Sequence, residues 1–224
     1  MLNIDEFTAM VDHTLLKPEA TADQIEQLCR DAVELAMFAV CVNGYWVPRV
    51  VALLTGTPVR TCSVVGFPLG AMDPRALATE VTIAVTAGAA EIDMVIPVGL
   101  VQAEATTEVS HYIDRARAAA GDDVILKVIL ETALLTDPQI TRSCQLAVDA
   151  GADFVKTSTG FNAAGGATVD AVALMRRAVG ADVGVKASGG IRTLDQVEAM
   201  VAAGASRLGM SAAPDVVSQI RAAT

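Results

Sequence analysis

The sequence has only two histidines, His13 and His111. Neither lies near a cysteine or an acidic motif at ligand spacing, so a histidine-based zinc centre is not expected and both read as surface or structural residues. The four cysteines, Cys29, Cys41, Cys62 and Cys144, form no CxxC pair. A chain that buries a core of this size does not need disulfides, so they read as reduced thiols. No block of lysine and arginine offsets the formal charge of −10, which argues against nucleic-acid and membrane-surface partners. Long uninterrupted apolar runs are also missing, although 53% of the residues are hydrophobic. The uncharged stretch from Leu35 to Pro48 contains Asn43 and Gly44 and is too short to span a bilayer. No cationic segment precedes an apolar one near the N-terminus, so a secretory signal is not expected and the compartment reads as cytoplasmic. With no low-complexity segment or Pro/Ser-rich linker to mark a boundary, residues 1–224 read as one domain.

What the sequence does have is repetition. Ala-Gly-Ala recurs at Ala87-Gly88-Ala89, Ala150-Gly151-Ala152 and Ala203-Gly204-Ala205, each time after a helical stretch and before a run with strand character. Glycine just past a helix end is the usual stop, so each copy reads as helix, stop, strand. Eight strand candidates follow in order: Val11–Leu16, Ala39–Val42, Arg60–Val65, Glu91–Ile96, Val124–Leu130, Phe154–Ser158, Val183–Ala187 and Arg207–Met210. Helix-start signals lie between them. Thr21 with Gln24 and Thr193 with Gln196 form capping boxes, and Asp73-Pro74 and Asp137-Pro138 read as an N-cap followed by proline. Alternating strands and helices predict a parallel α/β sheet, and eight such units predict a single closed (β/α)8 TIM barrel. A doubly wound open sheet is the alternative, because closure is not written in local pattern.

In such a barrel, reactive groups sit at the C-terminal ends of the strands. Parallel strands covered on both faces read as apolar runs, yet Asp93, Lys127, Lys156 and Lys186 all lie inside strand candidates. One reading pairs each lysine with a carboxylate such as Asp93 or Glu131 as polar filling of the barrel. The other makes two lysines on successive strands a reactive pair. An amine must be neutral to attack a carbonyl, whereas a free lysine titrates near 10.4. A second ammonium roughly 7 Å away, at an effective dielectric near 20, disfavours the charged form by about 2 kcal/mol. Ser188-Gly189-Gly190 after the seventh strand, leading into the helix opened by Thr193, and Gly209-Met210-Ser211 at the eighth stand where this architecture holds phosphate.

These motifs resemble those of the deoxyribose-phosphate aldolase family, a class of Schiff-base aldolases. The resemblance runs through Val11-Asp12-His13-Thr14-Leu15-Leu16-Lys17-Pro18, Ala39-Val40-Cys41-Val42-Asn43, Val65-Gly66-Phe67-Pro68-Leu69-Gly70, Glu91–Ile96 and Leu126-Lys127-Val128-Ile129-Leu130-Glu131-Thr132. It continues in Phe154-Val155-Lys156-Thr157-Ser158-Thr159-Gly160 and Val185-Lys186-Ala187-Ser188-Gly189-Gly190-Ile191-Arg192, and so covers nearly the whole chain. It implies that Lys156 carries the Schiff base, that Lys186 is the cation that keeps it reactive, and that Asp93 is the acid/base partner working with Lys186 through water. It places Asp12, Thr14, Cys41 and Thr159 along the substrate cavity and Gly160, Gly189, Gly190, Gly209 and Ser211 around phosphate. Read from the residues alone, Cys41 is equally a small buried hydrophobe, and Asp12 and Thr14 are equally local caps of the first loop.

The implied reaction is reversible cleavage of 2-deoxy-D-ribose 5-phosphate to D-glyceraldehyde 3-phosphate and acetaldehyde. No metal or other cofactor is implied, the partners are the phosphosugar and aldehydes, and a homodimer or other homo-oligomer is expected. Two departures stand out. Ala212 and Met210 occupy positions where many members have a second serine and a smaller residue, and Ile220-Arg221-Ala222-Ala223-Thr224 holds no tyrosine to shuttle protons. The only tyrosines are Tyr45 and Tyr112, so proton transfer is expected to fall to Asp93, Lys186 and water. Two rival readings use the same barrel: a phosphosugar isomerase with Glu131 as base, and a barrel that binds a sugar phosphate without turnover.

Overall fold

A computed structural model describes residues 2–223; Met1 and Thr224 lie outside the described residues. Its eight strands are β1 (Val11–Leu15), β2 (Ala39–Asn43), β3 (Arg60–Val65), β4 (Glu91–Val95), β5 (Ile125–Ile129), β6 (Phe154–Lys156), β7 (Gly184–Ser188) and β8 (Arg207–Met210). All neighbours pair in parallel, and β8 returns to β1 through Val11–Leu208 and Asp12–Gly209, which closes the barrel and excludes the open sheet. The helices are α1 (Ile4–Thr8), α2 (Ala22–Glu34), α3 (Val47–Leu54), α4 (Pro74–Thr86), α5 (Val98–Gln102), α6 (Thr106–Ala120), α7 (Asp137–Asp149), α8 (Val169–Val179), α9 (Leu194–Ala202) and α10 (Ala213–Ala223).

Local chemistry explains where the helices begin and end. Thr21 and Thr193 cap α2 and α9, and each donates its own N–H in return to the side-chain oxygen of the glutamine three residues on. Asp73 caps α4 ahead of Pro74, as expected. At α7 the cap is one residue earlier than expected. Thr136 forms a capping box with Gln139, so Asp137 becomes the first helical residue and Pro138 the second, where the absence of an N–H costs nothing. The three Ala-Gly-Ala stops behave alike: Gly88, Gly151 and Gly204 take φ of 101°, 75° and 110°, beyond the reach of an ordinary side chain. Strand β6 ends at Lys156, two residues short of the expected Ser158, and beyond it Thr157 and Ser158 bond to Ser188 at the end of β7.

Alternation along the strands separates two interiors. Outward-facing residues such as Val40, Ile92, Met94, Leu126, Val128, Val155, Val185 and Leu208 are buried with helix residues such as Ile25, Leu77, Ile113 and Val216 in one continuous aliphatic layer. Inward-facing positions form a different interior. Asp12, Glu91, Asp93, Lys127, Lys156, Lys186 and Arg207 are all buried there, and a small apolar group of Leu16, Cys41, Cys62 and Val64, with Phe67 against it, lies apart from the outer layer. Among the described residues no helix is long and apolar enough to cross a membrane.

Candidate active site

Register sets the site. Lys156 on β6 lies directly beside Lys186 on β7, and Asp93 on β4 lies beside Lys127 on β5. Asp93 gathers all three amines. Its Oδ2 accepts from Lys156 Nζ at 2.7 Å and from Lys186 Nζ at 2.7 Å, while Oδ1 accepts from Lys127 Nζ at 2.7 Å. Lys156 and Lys186 therefore share one carboxylate oxygen. Asp93 reaches Lys186 directly, where the sequence led us to expect water between them. Buried ammonium groups at this spacing require an anion among them, and Asp93 supplies it.

Closure of the barrel brings a second carboxylate. Asp12 Oδ2 accepts from Lys186 and lies 3.4 Å from Lys127, and Oδ1 accepts from Arg207 at 2.8 Å. Asp12 is thus part of the interior ionic network, not a cap of the first loop. Thr14 is the residue that bonds locally, its Oγ1 donating to the Asp12 carbonyl at 2.7 Å. Burial alone would raise the carboxyls of Asp12 and Asp93. The lysines around both, with Arg207 beside Asp12, overcome this and hold them well below the usual carboxylate range. Burial alone would likewise favour neutral Lys127 and Lys186. Asp93 and Asp12 reverse that and hold both amines above the ordinary lysine range. Lys127 pairs with Asp93 and, at 2.6 Å, with Glu91, so the structural pairing expected for a lone in-strand lysine holds for this one but does not involve Glu131.

Glu131 does something else. It adopts a left-handed backbone with φ of 57°, and its two carboxylate oxygens accept from the N–H and the Oγ1 of Thr159. The base that an isomerase would need is thereby committed to the loop that leads to Gly160. Other contacts fix the neighbouring strand ends. Thr157 Oγ1 both accepts from the Ser188 N–H and donates to its carbonyl, and Ser188 Oγ donates to the Ser158 carbonyl at 2.7 Å. These bonds lock the β6 and β7 ends that carry Lys156 and Lys186.

Over the ends of β1, β6, β7 and β8 opens a cavity of about 360 Å³, lined by Thr14, Thr159, Gly160, Gly189, Gly190, Gly209 and Ser211. All the residues expected at phosphate meet there. Gly160, Gly189 and Gly190 have φ of 82°, 91° and 82°, so all three are required by conformation, and at Gly189 a side chain would also crowd Gly166 Cα at 3.0 Å. Gly209 has an added role: a side chain there would collide with Lys186 Cε and Ser188 Cβ. The sequence reading missed two cations in the same cavity, Lys17 and Arg192, and also Phe161, which stands edge-to-face with Phe67 at 5.2 Å. Arg192 lies two residues after Gly190 and could have been found from that proximity. Cys41 is fully buried with Leu16, Cys62 and Val64, and its Sγ lies within 4.8 Å of a carboxylate oxygen of Asp93. Cys41, Cys62 and Asp93, and separately Asp12, Cys62 and Glu91, bring possible metal donors within 4.8 Å of one another. Both groups are threaded by Lys127 and its neighbours, whose charge opposes a metal ion.

Two amines, Lys156 and Lys186, thus share one carboxylate oxygen inside a barrel whose β1, β6, β7 and β8 ends carry a glycine-lined cavity. The family model for DeoC/LacD family aldolases matches residues 6–215. The chain belongs to that family. A deoxyribose-phosphate aldolase of Brevibacillus brevis is 51% identical over 207 residues, spanning 92% of this chain and 93% of the relative. Deoxyribose-phosphate aldolase 1 of Bacillus licheniformis is 48% identical over 217 residues, 97% of each chain. Among solved structures, the tetrameric deoxyribose phosphate aldolase of Aeropyrum pernix superposes with a TM-score of 0.88 at 30% identity, covering 99% of this chain and 94% of that one. In this DeoC/LacD aldolase, His13 is buried 3.8 Å from Asp31 on the outer side of β1, and His111 is on α6, accepting from Arg115. Neither takes part in the ionic network.

Proposed function

We propose that the whole chain, residues 1–224, works as one aldolase domain that reversibly cleaves 2-deoxy-D-ribose 5-phosphate to D-glyceraldehyde 3-phosphate and acetaldehyde through a Schiff base on Lys156. The observation that carries this is the pair of amines on Asp93 Oδ2. Lys127 and Lys186 are fully enclosed and each holds a second carboxylate, whereas Lys156 has only Asp93 and is 2% exposed. Lys156 is therefore the amine with the fewest charged partners and the one we assign as the nucleophile.

Condensation of Lys156 with the sugar aldehyde gives a protonated imine, which draws electrons from the C–C bond as a base removes the proton of the 3-hydroxyl. Asp93, ionised and in contact with Lys156, is that base. Lys186, held protonated by Asp12 and Asp93, is the proton donor for the enamine left on Lys156. Hydrolysis of the imine releases acetaldehyde. The phosphate sits against Gly160, Gly189, Gly190, Gly209 and Ser211, with Lys17 and Arg192 supplying charge where Ala212 offers no hydroxyl. Thr14 and Thr159 face the sugar from the same cavity. Four free, buried thiols suit a reducing cytoplasm, and a homo-oligomer is the assembly we expect, as in the Aeropyrum relative.

Borohydride added with acetaldehyde tests the reading. A reduced two-carbon adduct on Lys156, mapped by peptide mass, is the expected result, with Lys156→Ala lowering turnover by about ten-thousand-fold. An isomerase or a non-catalytic barrel would give no such adduct, and full activity in Lys156→Ala would exclude the mechanism.

A further inference from the structure

Below the catalytic amines lies a built feature that the reaction itself does not use. Arg207, on β8 directly beside Lys186, is 7% exposed. Its Nη1 donates to Asp12 Oδ1 at 2.8 Å and to Glu91 Oε2 at 3.3 Å. The guanidinium carbon stands 3.6 Å from the centre of the Phe38 ring and 5.1 Å from that of Phe154. Aromatic residues make up only 4% of this chain and phenylalanines number five, and two of the five lie against this guanidinium, Phe38 being shared with Arg60 at 5.1 Å. Gly184, beside Phe154 on β7, completes the clamp, because any side chain there would overlap the Phe154 ring.

The charges inside the barrel explain such care. Among the described residues, its buried interior holds the cations Lys127, Lys156, Lys186 and Arg207 and the carboxylates Asp12, Glu91 and Asp93. The flanking titratable groups are Cys41 on β2, Cys62 on β3 and the half-exposed Arg60, which lies 3.6 Å from Glu91 at the β3 entrance. Glu131, above the strands, is bound to Thr159. Four cations face three anions, and a buried ionic cluster is least costly when its charges balance. The cluster balances when one amine is neutral, and Lys156 is the only amine with a single carboxylate partner.

We propose that Arg207 is a positioning residue that supplies the surplus positive charge which keeps one amine of the cluster unprotonated, with Glu91 as the opposing term that limits it. Arg207 cannot lose its proton, so the surplus can be relieved only at a lysine. Remove Arg207 and three amines face three carboxylates, so full protonation becomes the balanced state. Remove the Glu91 charge and the surplus grows. The two changes therefore act in opposite directions, which loss of packing alone would not do. The inference rests on the assignment of Lys156 as nucleophile.

Two readouts on the intact protein separate this from the aldolase reading. One is the rate of borohydride-trapped acetaldehyde adduct on Lys156. The other is reductive methylation of Lys156 by formaldehyde and cyanoborohydride, a general amine probe; both are followed by peptide mass from about pH 6 to about pH 10. In Arg207→Met both profiles move to higher pH by about one unit, the size expected for one charge removed at roughly 10 Å in a medium of effective dielectric about 20. Near neutrality this appears as about a tenfold loss, recovered at high pH. Arg207→Lys keeps the original profile, and Glu91→Gln moves it to lower pH. Unmoved profiles in both Arg207→Met and Glu91→Gln, or shifts of the same sign, would overturn the proposal. So would a rate loss in Arg207→Met that is equal at every pH. If Arg207→Met does not fold, the direction of the Glu91→Gln shift decides. Methylation profiles that shift as described in a protein that forms no acetaldehyde adduct would uphold the charge assignment and sink the aldolase reading instead.

Discussion

Neighbouring residues on β4 face two unlike interiors. Ile92 points outward into the aliphatic layer shared with the helices, and Asp93 points inward to three lysine amines. The outer layer is non-directional: its stability follows buried area, and many side chains of similar volume would serve. The inner one is held by charges whose cost is repaid only when every partner is present. The comparison teaches that stability and chemistry are placed on opposite faces of the same strands, one residue apart.

The sharpest way to break this division is at Asp93. Asp93→Asn leaves Lys156, Lys127 and Lys186 without their common anion; turnover should fall by roughly a thousandfold, and stability by about 3–5 kcal/mol in denaturant titration. If Asp93→Asn kept its activity, the ionic interior would be filling, not machinery. Ile92→Ala should show the converse. It should cost about 2–5 kcal/mol of stability, while turnover per folded molecule and its pH profile stay unchanged.

Acid should separate the two interiors more gently. Asp12 and Asp93 have folded values below their unfolded ones, so the stability they give is fully present above the unfolded range near 3.8 and drains away as pH falls toward the folded values. Lys127 and Lys186 are raised, so their share persists below the unfolded value of 10.5 and is lost only above it. Stability should therefore be nearly flat across neutrality and decline below about pH 4; Asp12→Asn should be less stable at neutrality and show a shallower acid decline. Thermal unfolding at a series of pH values reads both. The smallest effect belongs to the apolar corner of the barrel. Cys41→Ala should cost about 1 kcal/mol and change turnover less than about threefold. A larger kinetic loss would give Cys41 a direct part in catalysis.

Much of the site could be read in the chain because charge inside an apolar strand is conspicuous. Lys127, Lys156, Lys186 and Asp93 were found by that signal alone. Glu91 and Arg207 carry the same signal but lie at the first residues of their strands, where a charge looks like an ordinary strand boundary. Glu131 was read as a partner for an in-strand lysine or as the base of a rival isomerase, since nothing local announces its bonds to Thr159 on the next loop. The cap of α7 was misplaced by one residue because Thr136 and Asp137 are both good caps, and the winner depended on which could reach Gln139.

Alternation, caps and glycine stops are local properties, and they were enough to specify eight β/α units and the residue types that do the chemistry. Pairing was not local. Asp12 meets Lys186 and Arg207 across 174 and 195 residues of sequence, and only closure of β8 onto β1 brings them together. Which carboxylates each amine meets is decided by the tertiary structure, because the energy of a buried charge depends on all its neighbours in space and on none of its neighbours in sequence alone.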